Sequence, residues 1–396
     1  MRRRRFLRLA GGAALASGLG CGRGAEDAAS RTAGERATGA AGPVLSAPEE
    51  LHLTWPGYDE AIVVDALAGP IQFNIPQQTL PLDPVALDRV RASGITAVNL
   101  TVNGRPSEGE TAFDATVDRM AAWAQEAEAH GDTLFLARSV SDLRRAKQEG
   151  WLALIFGFQD GVPFEDDLDR LEGFYSMGLR IVQPTYNVQN RLGSGCLAPR
   201  DDGLTALGRE AVARMEAMGI LLDLSHCGPR TTRDAIQVAS GPVSITHSGC
   251  SAVFEHPRSK DDETLRLLAD RGGVVGIYLM PFLNAEGPPA AEDVIVHVEH
   301  ALDVCGEDHV GIGSDQGIVP LDTRGDFRAR FDEVSAQRHA TGIAAPREDT
   351  VPFVPELNHP RRMETIAGLL SARGHSDAVV EKVIGGNFMR LFEEVW

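Results

Sequence analysis

From residue 61 onward, short runs rich in Val, Ile and Leu alternate with amphipathic stretches of helical period. Buried parallel strands read as continuous apolar runs, and each needs a crossover helix to reach the next, so the pattern predicts repeated βα units around a parallel sheet. Eight core strands are expected at 62–68, 96–102, 152–159, 180–186, 219–226, 242–247, 273–279 and 309–315, with a short extra strand at 133–137. Helices are expected between them at 114–129, 139–149, 167–177, 205–218, 231–238, 262–270 and 291–304. Eight alternations without a solenoid repeat predict an α/β protein, a closed (β/α)8 barrel of the TIM type. The proline-bearing stretch 318–357 reads as a long insertion after the last strand, a lid or a disordered excursion. Two helices, 361–372 and 377–395, then close the chain, the second with Leu391 and Phe392 on a buried face.

The amino terminus follows a different pattern. Arg2, Arg3, Arg4 and Arg5, then Phe6, Leu7 and Arg8, precede a small apolar run at 9–20. This reads as an export leader, and its arginine pair followed by x-Phe-Leu-Arg looks like a twin-arginine (Tat) signal, the route that exports folded proteins. Leu19, Gly20 and Cys21 resemble a lipoprotein cleavage site. Cys21 is read either as a lipid anchor or as a discarded residue beside an ordinary signal-peptidase cut. Residues 1–21 are thus taken as leader, 22–48 as a flexible linker without periodicity, and 49–396 as one barrel domain. The expected location is the periplasm or cell envelope. The body holds no run of 18 or more apolar residues that would span a bilayer. With 38 basic against 56 acidic residues, the formal charge of −18 repels phosphates and anionic lipid, which removes nucleic-acid and membrane-surface binding from consideration. Cys196, Cys227, Cys250 and Cys305 form no CxxC pair. Cys227 with Cys250 is a disulfide candidate in an oxidising compartment, the alternative being four unpaired small hydrophobes.

In a barrel of this type the working residues sit at the carboxyl ends of the strands. The fifth strand closes with Asp223-Leu224-Ser225-His226, the sixth with Ile245-Thr246-His247-Ser248, and the eighth with Gly311-Ile312-Gly313-Ser314-Asp315. Two histidines on adjacent strand ends plus an aspartate suggest a one-metal cluster, because neutral imidazole is the commonest zinc ligand and a carboxylate completes the set or acts as base. His309, at the opposite end of its strand, reads as structural.

These residues lie in runs that resemble the membrane (renal) dipeptidase family of amidohydrolase-like, metal-dependent hydrolases: GLTALGREAVARMEAMGILLDLSHCG, PVSITHSGC, HPRSKDDETLRLLADRGGVVGIYLMPFL, CGEDHVGIGSDQG and GGNFMRLFEEVW. The resemblance covers residues 60 to the carboxyl terminus. It implies a barrel mouth where two zinc ions activate a bridging water against the peptide bond of a dipeptide, and homodimers are common in such a family. His226 and His247 match the ligands of one metal, Asp315 the last-strand aspartate, and Arg258 the arginine that holds the substrate carboxylate.

The first half departs from the family at the chemistry. Where the first strand should end in Asp-x-His-x-Asp, this chain has Asp65-Ala66-Leu67-Ala68-Gly69, so Leu67 and Gly69 replace both ligands. Gln159 stands at the bridging glutamate, and Tyr186 at the substrate-facing histidine of a Thr-His-Asn run, here Thr185-Tyr186-Asn187. Adjacent divalent ions need anionic ligands to tolerate one another, so one zinc, or else an altered metal pair, is expected rather than the normal binuclear centre. Asp160, one residue beyond Gln159, is turned away by strand alternation unless the backbone bulges. The expected function is an exported zinc dipeptidase-like hydrolase acting on dipeptides or small amides with a free carboxylate. Asp315 would be its base, Tyr186 its carbonyl-polarising group, and Arg258, Tyr186 and Asn187 its substrate contacts. A salt bridge to Asp261 or Asp262 is the structural alternative for Arg258. A non-catalytic ligand-binding barrel and a different hydrolytic reaction on the same scaffold are the alternative functions.

Overall fold

Among the described residues eleven strands follow one another: β1 Val64–Asp65, β2 Ala68–Gly69, β3 Ala97–Thr101, β4 Leu134–Leu136, β5 Leu152–Phe158, β6 Leu179–Val182, β7 Leu221–Leu222, β8 Ser244–Ser248, β9 Val274–Ile277, β10 Val310–Ile312 and β11 Gln316–Gly317. They come from a computed structural model that describes residues 50–73 and 80–396, all within one compact unit. The leader, Cys21 and the whole linker lie outside the described residues. β1, β3, β5, β6 and β7 run side by side in parallel, and β8, β9 and β10 form a second parallel run. At one seam Asp223 bridges Ser244, and at the other the Ala66 amide donates to Ile312 O at 2.9 Å. These eight staves make the expected (β/α)8 barrel. β4 pairs only with the first residues of β5, as the expected extra strand. β2 and β11 pair as a short parallel ribbon beyond the β1 and β10 ends.

Helices α2 (Ala112–Ala129), α3 (Val140–Glu149), α4 (Arg170–Met177), α5 (Ala206–Ala217), α6 (Pro229–Val238), α7 (Asp262–Asp270) and α8 (Ala291–Cys305) are the expected crossovers. Thr111, Ser139, Thr205 and Asp261 cap four of them, each side chain accepting a first-turn amide. An unexpected α1 (Pro84–Ser93) starts at the Asp83 cap with Pro84 in its first turn and stops at Gly94, whose φ of 70° suits a residue without a Cβ. The insertion 318–357 contains α9 (Phe327–Ala340), which buries only Phe327, Phe331 and Ser335 and so carries little apolar signal. At the carboxyl terminus α10 (Arg362–Ala372) is as expected. The last helix is split into α11 (Asp377–Glu381), a π turn at Lys382–Gly386 and α12 (Asn387–Val395). The turn lets Gly385 press against the first stave, where a Cβ would sit 2.1 Å from Ile62 O. Phe388, Leu391 and Phe392 of α12 are buried in one cluster with Val64, Ala97, Ala153 and Ile155. All four described cysteines are free, Cys227 and Cys250 included. Cys227 Sγ takes a hydrogen bond from Thr185 Oγ1, and Cys250 Sγ donates to His297 O.

At the seam between β1 and β10, the buried Asp65 carboxylate accepts from the Ser314 amide at 2.7 Å and from Ser314 Oγ at 2.5 Å, and pairs with buried Arg362 at 2.9 Å. Removing one partner of a buried pair strands the other charge, at a cost of about 3–5 kcal/mol. Arg362→Met is therefore expected to lower the urea midpoint by the equivalent of ~3 kcal/mol or more. Asp65→Asn in the same chain should recover part of that loss, and an Arg362→Met midpoint equal to wild type would contradict this account.

Candidate metal centre and active site

The two histidine-bearing strand ends are tied together by Asp223, which is fully buried. Its Oδ1 accepts from the Ser225 amide (3.1 Å), Ser225 Oγ (2.6 Å) and the Thr246 amide (2.8 Å), and its Oδ2 accepts from Thr246 Oγ1 (2.6 Å). Burial raises this carboxyl above its ordinary range while those donors pull it back. Ser225 and Thr246 immediately precede His226 and His247. The His247 amide also donates to Ser225 Oγ at 3.0 Å, so each histidine leaves the barrel from a fixed point.

The protons at the imidazole pair can be assigned from their neighbours. Asn187 Nδ2 donates to Ile343 O at 2.8 Å, which turns its amide oxygen toward His226 Nδ1, 2.6 Å away. That oxygen only accepts, so Nδ1 carries the proton and Nε2 a lone pair. Thr246 spends its hydroxyl proton on Asp223, so His247 Nδ1, 2.8 Å from Thr246 Oγ1, is the donor there. His247 Nε2 therefore also carries a lone pair, and the two Nε2 atoms face each other at 3.0 Å. Burial first, and the Arg258 guanidinium next, hold both imidazoles well below the ordinary histidine range, so both are neutral. Two converging imidazole lone pairs call for a cation.

Arg258 occupies that role here. It is buried, donates to Ser225 O, and reaches His226 Nε2 (3.1 Å) and His247 O (3.4 Å) through Nη2. It pairs with neither Asp261 nor Asp262, which instead meet Arg233 and Arg266. The structural alternative for Arg258 thus fails, and in this structure its fork points at the imidazoles. Asn187, expected at the substrate, has both ends of its amide committed and serves to orient His226.

Asp315 follows β10 in the left-handed region, φ 54°, where a non-glycine residue carries local strain. Its amide donates to Leu67 O at 2.8 Å. Burial pushes its carboxyl up to about 7; Arg258 opposes that shift, Glu348 adds to it, and Arg338 opposes it. Among the described residues no group of three or more His, Cys, Asp or Glu side chains is arranged to hold a metal. The cluster of His226, His247 and Asp315 expected from the strand ends is therefore not assembled as a ligand triad. The two histidines each follow a residue held by Asp223, whereas Asp315 is turned through the left-handed region with its amide bonded to Leu67 O.

At the altered positions, Leu67 is buried and offers no lone pair, and Gly69 lies in the β2 ribbon. Gln159 donates from Nε2 to Thr101 Oγ1 (2.7 Å) and from its amide to Asn103 Oδ1 (2.7 Å). Asp160 accepts from Asn190 Nδ2 at 2.9 Å, and burial lifts it to about 6. Leu67, Gly69 and Gln159 bring no anionic group to this side of the mouth, and His226 and His247 are the residues that would hold an ion.

Tyr186 stacks on His226 with ring centres 4.1 Å apart and planes 23° apart. Three further residues, absent from the sequence expectations, reach this region. Buried Lys260 donates from Nζ to Cys227 O at 2.7 Å, and burial lowers it to about 8. Arg338 and Glu348, both from the insertion, pair at 2.7 Å, and Arg338 reaches the Tyr186 hydroxyl at 3.3 Å. Lys260 lies in a quoted run, HPRSK, but nothing in a polar insertion marks Arg338 or Glu348 in advance.

A parallel (β/α)8 barrel with histidines and a strained aspartate at its carboxyl rim has the architecture of the amidohydrolase-like hydrolases. Residues 60–325 match the membrane dipeptidase family, peptidase family M19, and the chain belongs to that family of metal-dependent, dipeptidase-type hydrolases. A protein in the pqqA 5′ region of Klebsiella pneumoniae is 28% identical over 274 residues, 66% of this chain and 89% of that protein. Dipeptidase verJ of Clonostachys rogersoniana is 30% identical over 270 residues, 68% of this chain and 62% of that dipeptidase. Among solved structures, an amidohydrolase from Pseudomonas aeruginosa superposes with a TM-score of 0.74 at 32% identity, covering 86% of this chain and 98% of its own. A Rhodobacter sphaeroides metallo peptidase liganded with a phosphinate mimic of the dipeptide L-Ala-D-Ala gives 0.67 at 21% identity, covering 85% of this chain and 100% of its own.

Groups that orient metal-binding histidines typically tune affinity about 10- to 100-fold. Asp223→Asn is expected to weaken zinc binding by about that factor and to destabilise the fold by ~1–3 kcal/mol, because a carboxamide presents a donor to the Thr246 hydroxyl. Calorimetric zinc titration and chemical denaturation check both; unchanged zinc affinity would show that the staple does not set the imidazoles.

Proposed function

We propose that this chain is an exported hydrolase that uses one zinc ion, held by His226 and His247, to cleave dipeptides or related small amides bearing a free carboxylate. The observation that carries the reading is the facing pair of neutral imidazole lone pairs, each tautomer fixed by a separate neighbour. When bound, the ion supplies Lewis acidity, making a water a better nucleophile and polarising the scissile carbonyl. With the imidazole lone pairs so engaged, the Arg258 fork is free to receive the substrate carboxylate through two parallel hydrogen bonds. Asp315 takes the proton of the attacking water and returns it to the leaving amine. Tyr186 donates to the carbonyl oxygen as negative charge develops there. The arginine-rich leader supports a location in the periplasm or cell envelope, and lipid anchoring through Cys21 and homodimer formation are parts of the same reading.

A second reading, a barrel that binds a peptide without cleaving it, is favoured by one observation: Leu67, Gly69 and Gln159 leave the first-half ligand positions without a carboxylate. Metal analysis of the purified protein, with dipeptide turnover measured before and after chelation, separates the two. The hydrolase reading expects bound zinc, chelator-sensitive turnover restored by zinc, and loss of metal in His226→Ala and His247→Ala. Peptide binding unchanged in both variants, without turnover, selects the second.

Asp315 acts as a base only when ionised. Its carboxyl is raised to about 7, so kcat/KM is expected to rise as the pH climbs through about 7 and to level off above. Asp315→Asn should lower kcat by roughly 10²–10⁴-fold and flatten that limb. A profile that keeps the same rising limb in Asp315→Asn would assign the proton transfer to another group.

A further inference from the structure

The insertion carries a pair of charges to the edge of the imidazole site that the barrel itself does not supply. Arg338, in the last turn of α9, donates from Nε to Glu348 Oε2 at 2.7 Å and from Nη2 to the Tyr186 hydroxyl at 3.3 Å. Its guanidinium carbon lies 5.8 Å from the centre of the Tyr186 ring, which also stacks against His226. An arginine only donates, whereas a phenol has one proton and an oxygen that accepts. Because the Tyr186 oxygen receives the Arg338 N–H, its own proton must point to another acceptor. Among the described residues the Arg338 bond is the one hydrogen bond recorded for that hydroxyl. Glu348 is only 12% exposed and keeps the guanidinium in place.

The geometry points to Arg338 as a positioning residue that makes Tyr186 a cation-backed donor to the scissile carbonyl oxygen. The inference rests on the hydrolase reading above and adds to it a residue from outside the barrel. As charge moves onto the carbonyl oxygen, the phenol O–H shares its proton more strongly and its oxygen grows more negative. The guanidinium behind it then gains interaction energy, so the relay favours the transition state over the bound substrate. Glu348 neutralises Arg338 in the resting site and prevents the guanidinium from drifting toward the Asp315 carboxylate.

Two measurements test this on the full-length, zinc-loaded protein: steady-state kinetics on a dipeptide, and calorimetric binding of a phosphinate dipeptide mimic, whose anionic oxygen stands in for the developing charge. Losing one such donor typically costs about 10²–10³-fold in kcat, and that is expected for Tyr186→Phe. Arg338→Gln is expected to lower kcat by about 10- to 100-fold with KM changed less than about twofold, and to weaken the phosphinate by a similar factor. Arg338→Lys should recover part of both losses, and Tyr186→Phe with Arg338→Gln should be no worse than Tyr186→Phe alone. Thermal melting of Arg338→Gln confirms that the variant is folded. Wild-type kcat and phosphinate affinity in Arg338→Gln, or losses that multiply in the double variant, overturn the proposal. If the wild type binds phosphinate without hydrolysing dipeptides, the hydrolase reading fails by itself. The phosphinate affinities of the variants then decide this proposal on their own, and a wild type that neither cleaves dipeptide nor binds phosphinate overturns both.

Discussion

Two buried carboxylates brace this barrel at the seams of its sheet. Continuous strand pairing runs from β1 to β7 and from β8 to β10, and only a few backbone bonds cross the two seams between these runs. Asp223 staples one of them, gathering the amides and hydroxyls of Ser225 and Thr246 from adjoining strand ends. Asp65 staples the other, holding Ser314 on the far side and neutralised by Arg362. A carboxylate this deeply buried must be fully satisfied, so its donors cannot shift without a large cost. The residues just past each staple are His226, His247 and Asp315. The polar groups that brace the barrel are therefore the groups that aim its site, and stability and chemistry share the same atoms.

The charge balance of the mouth follows from what those staples present. A site for two ions would need anionic ligands on the first and third staves of the ring, yet Leu67, Gly69 and Gln159 supply none. Gln159 is well suited to its actual neighbours, since a carboxamide can donate to Thr101 Oγ1 where a carboxylate can only accept. Arg258 places positive charge beside the imidazoles through its contact with His226. The side holding Gln159 has a filled hydrogen-bonding network, and the side holding His226 and His247 has unprotonated nitrogens facing each other.

Much of the fold was legible because buried staves leave a strong mark: all seven residues of β5 are buried, and the expected 152–159 run captures them. Stave ends were less legible. The run 219–226 shortens to the two residues of β7 because beyond them the Ser225 and Thr246 amides donate to the Asp223 carboxylate, and side-chain bonding leaves no periodicity to read. Helix α1 had signals in Asp83, Pro84 and Gly94, but α9 did not, since a helix that buries so little of itself carries almost no apolar stripe. At the site, the histidines and Asp315 stood out by residue type at strand ends. The work of Asn187 and Thr246 did not, because fixing a tautomer depends on which way an amide or hydroxyl points, and that is a property of three-dimensional neighbours.

The insertion is the clearest case of structure adding what the chain alone does not reveal. Its backbone is held to the barrel mouth by side chains from several loops: Asn187 to Ile343 O, His256 to Pro346 O and Gln316 to Pro352 O. In return Arg347, at φ 67°, donates to Pro281 O and Asn284 Oδ1 on the barrel side. Each such bond contributes on the order of 1 kcal/mol, so the insertion is held by many small terms rather than one. Glu348 lies near enough to help raise the Asp315 carboxyl, and Arg338 opposes that shift. The proton affinity of the proposed base is therefore set partly by residues outside the barrel staves.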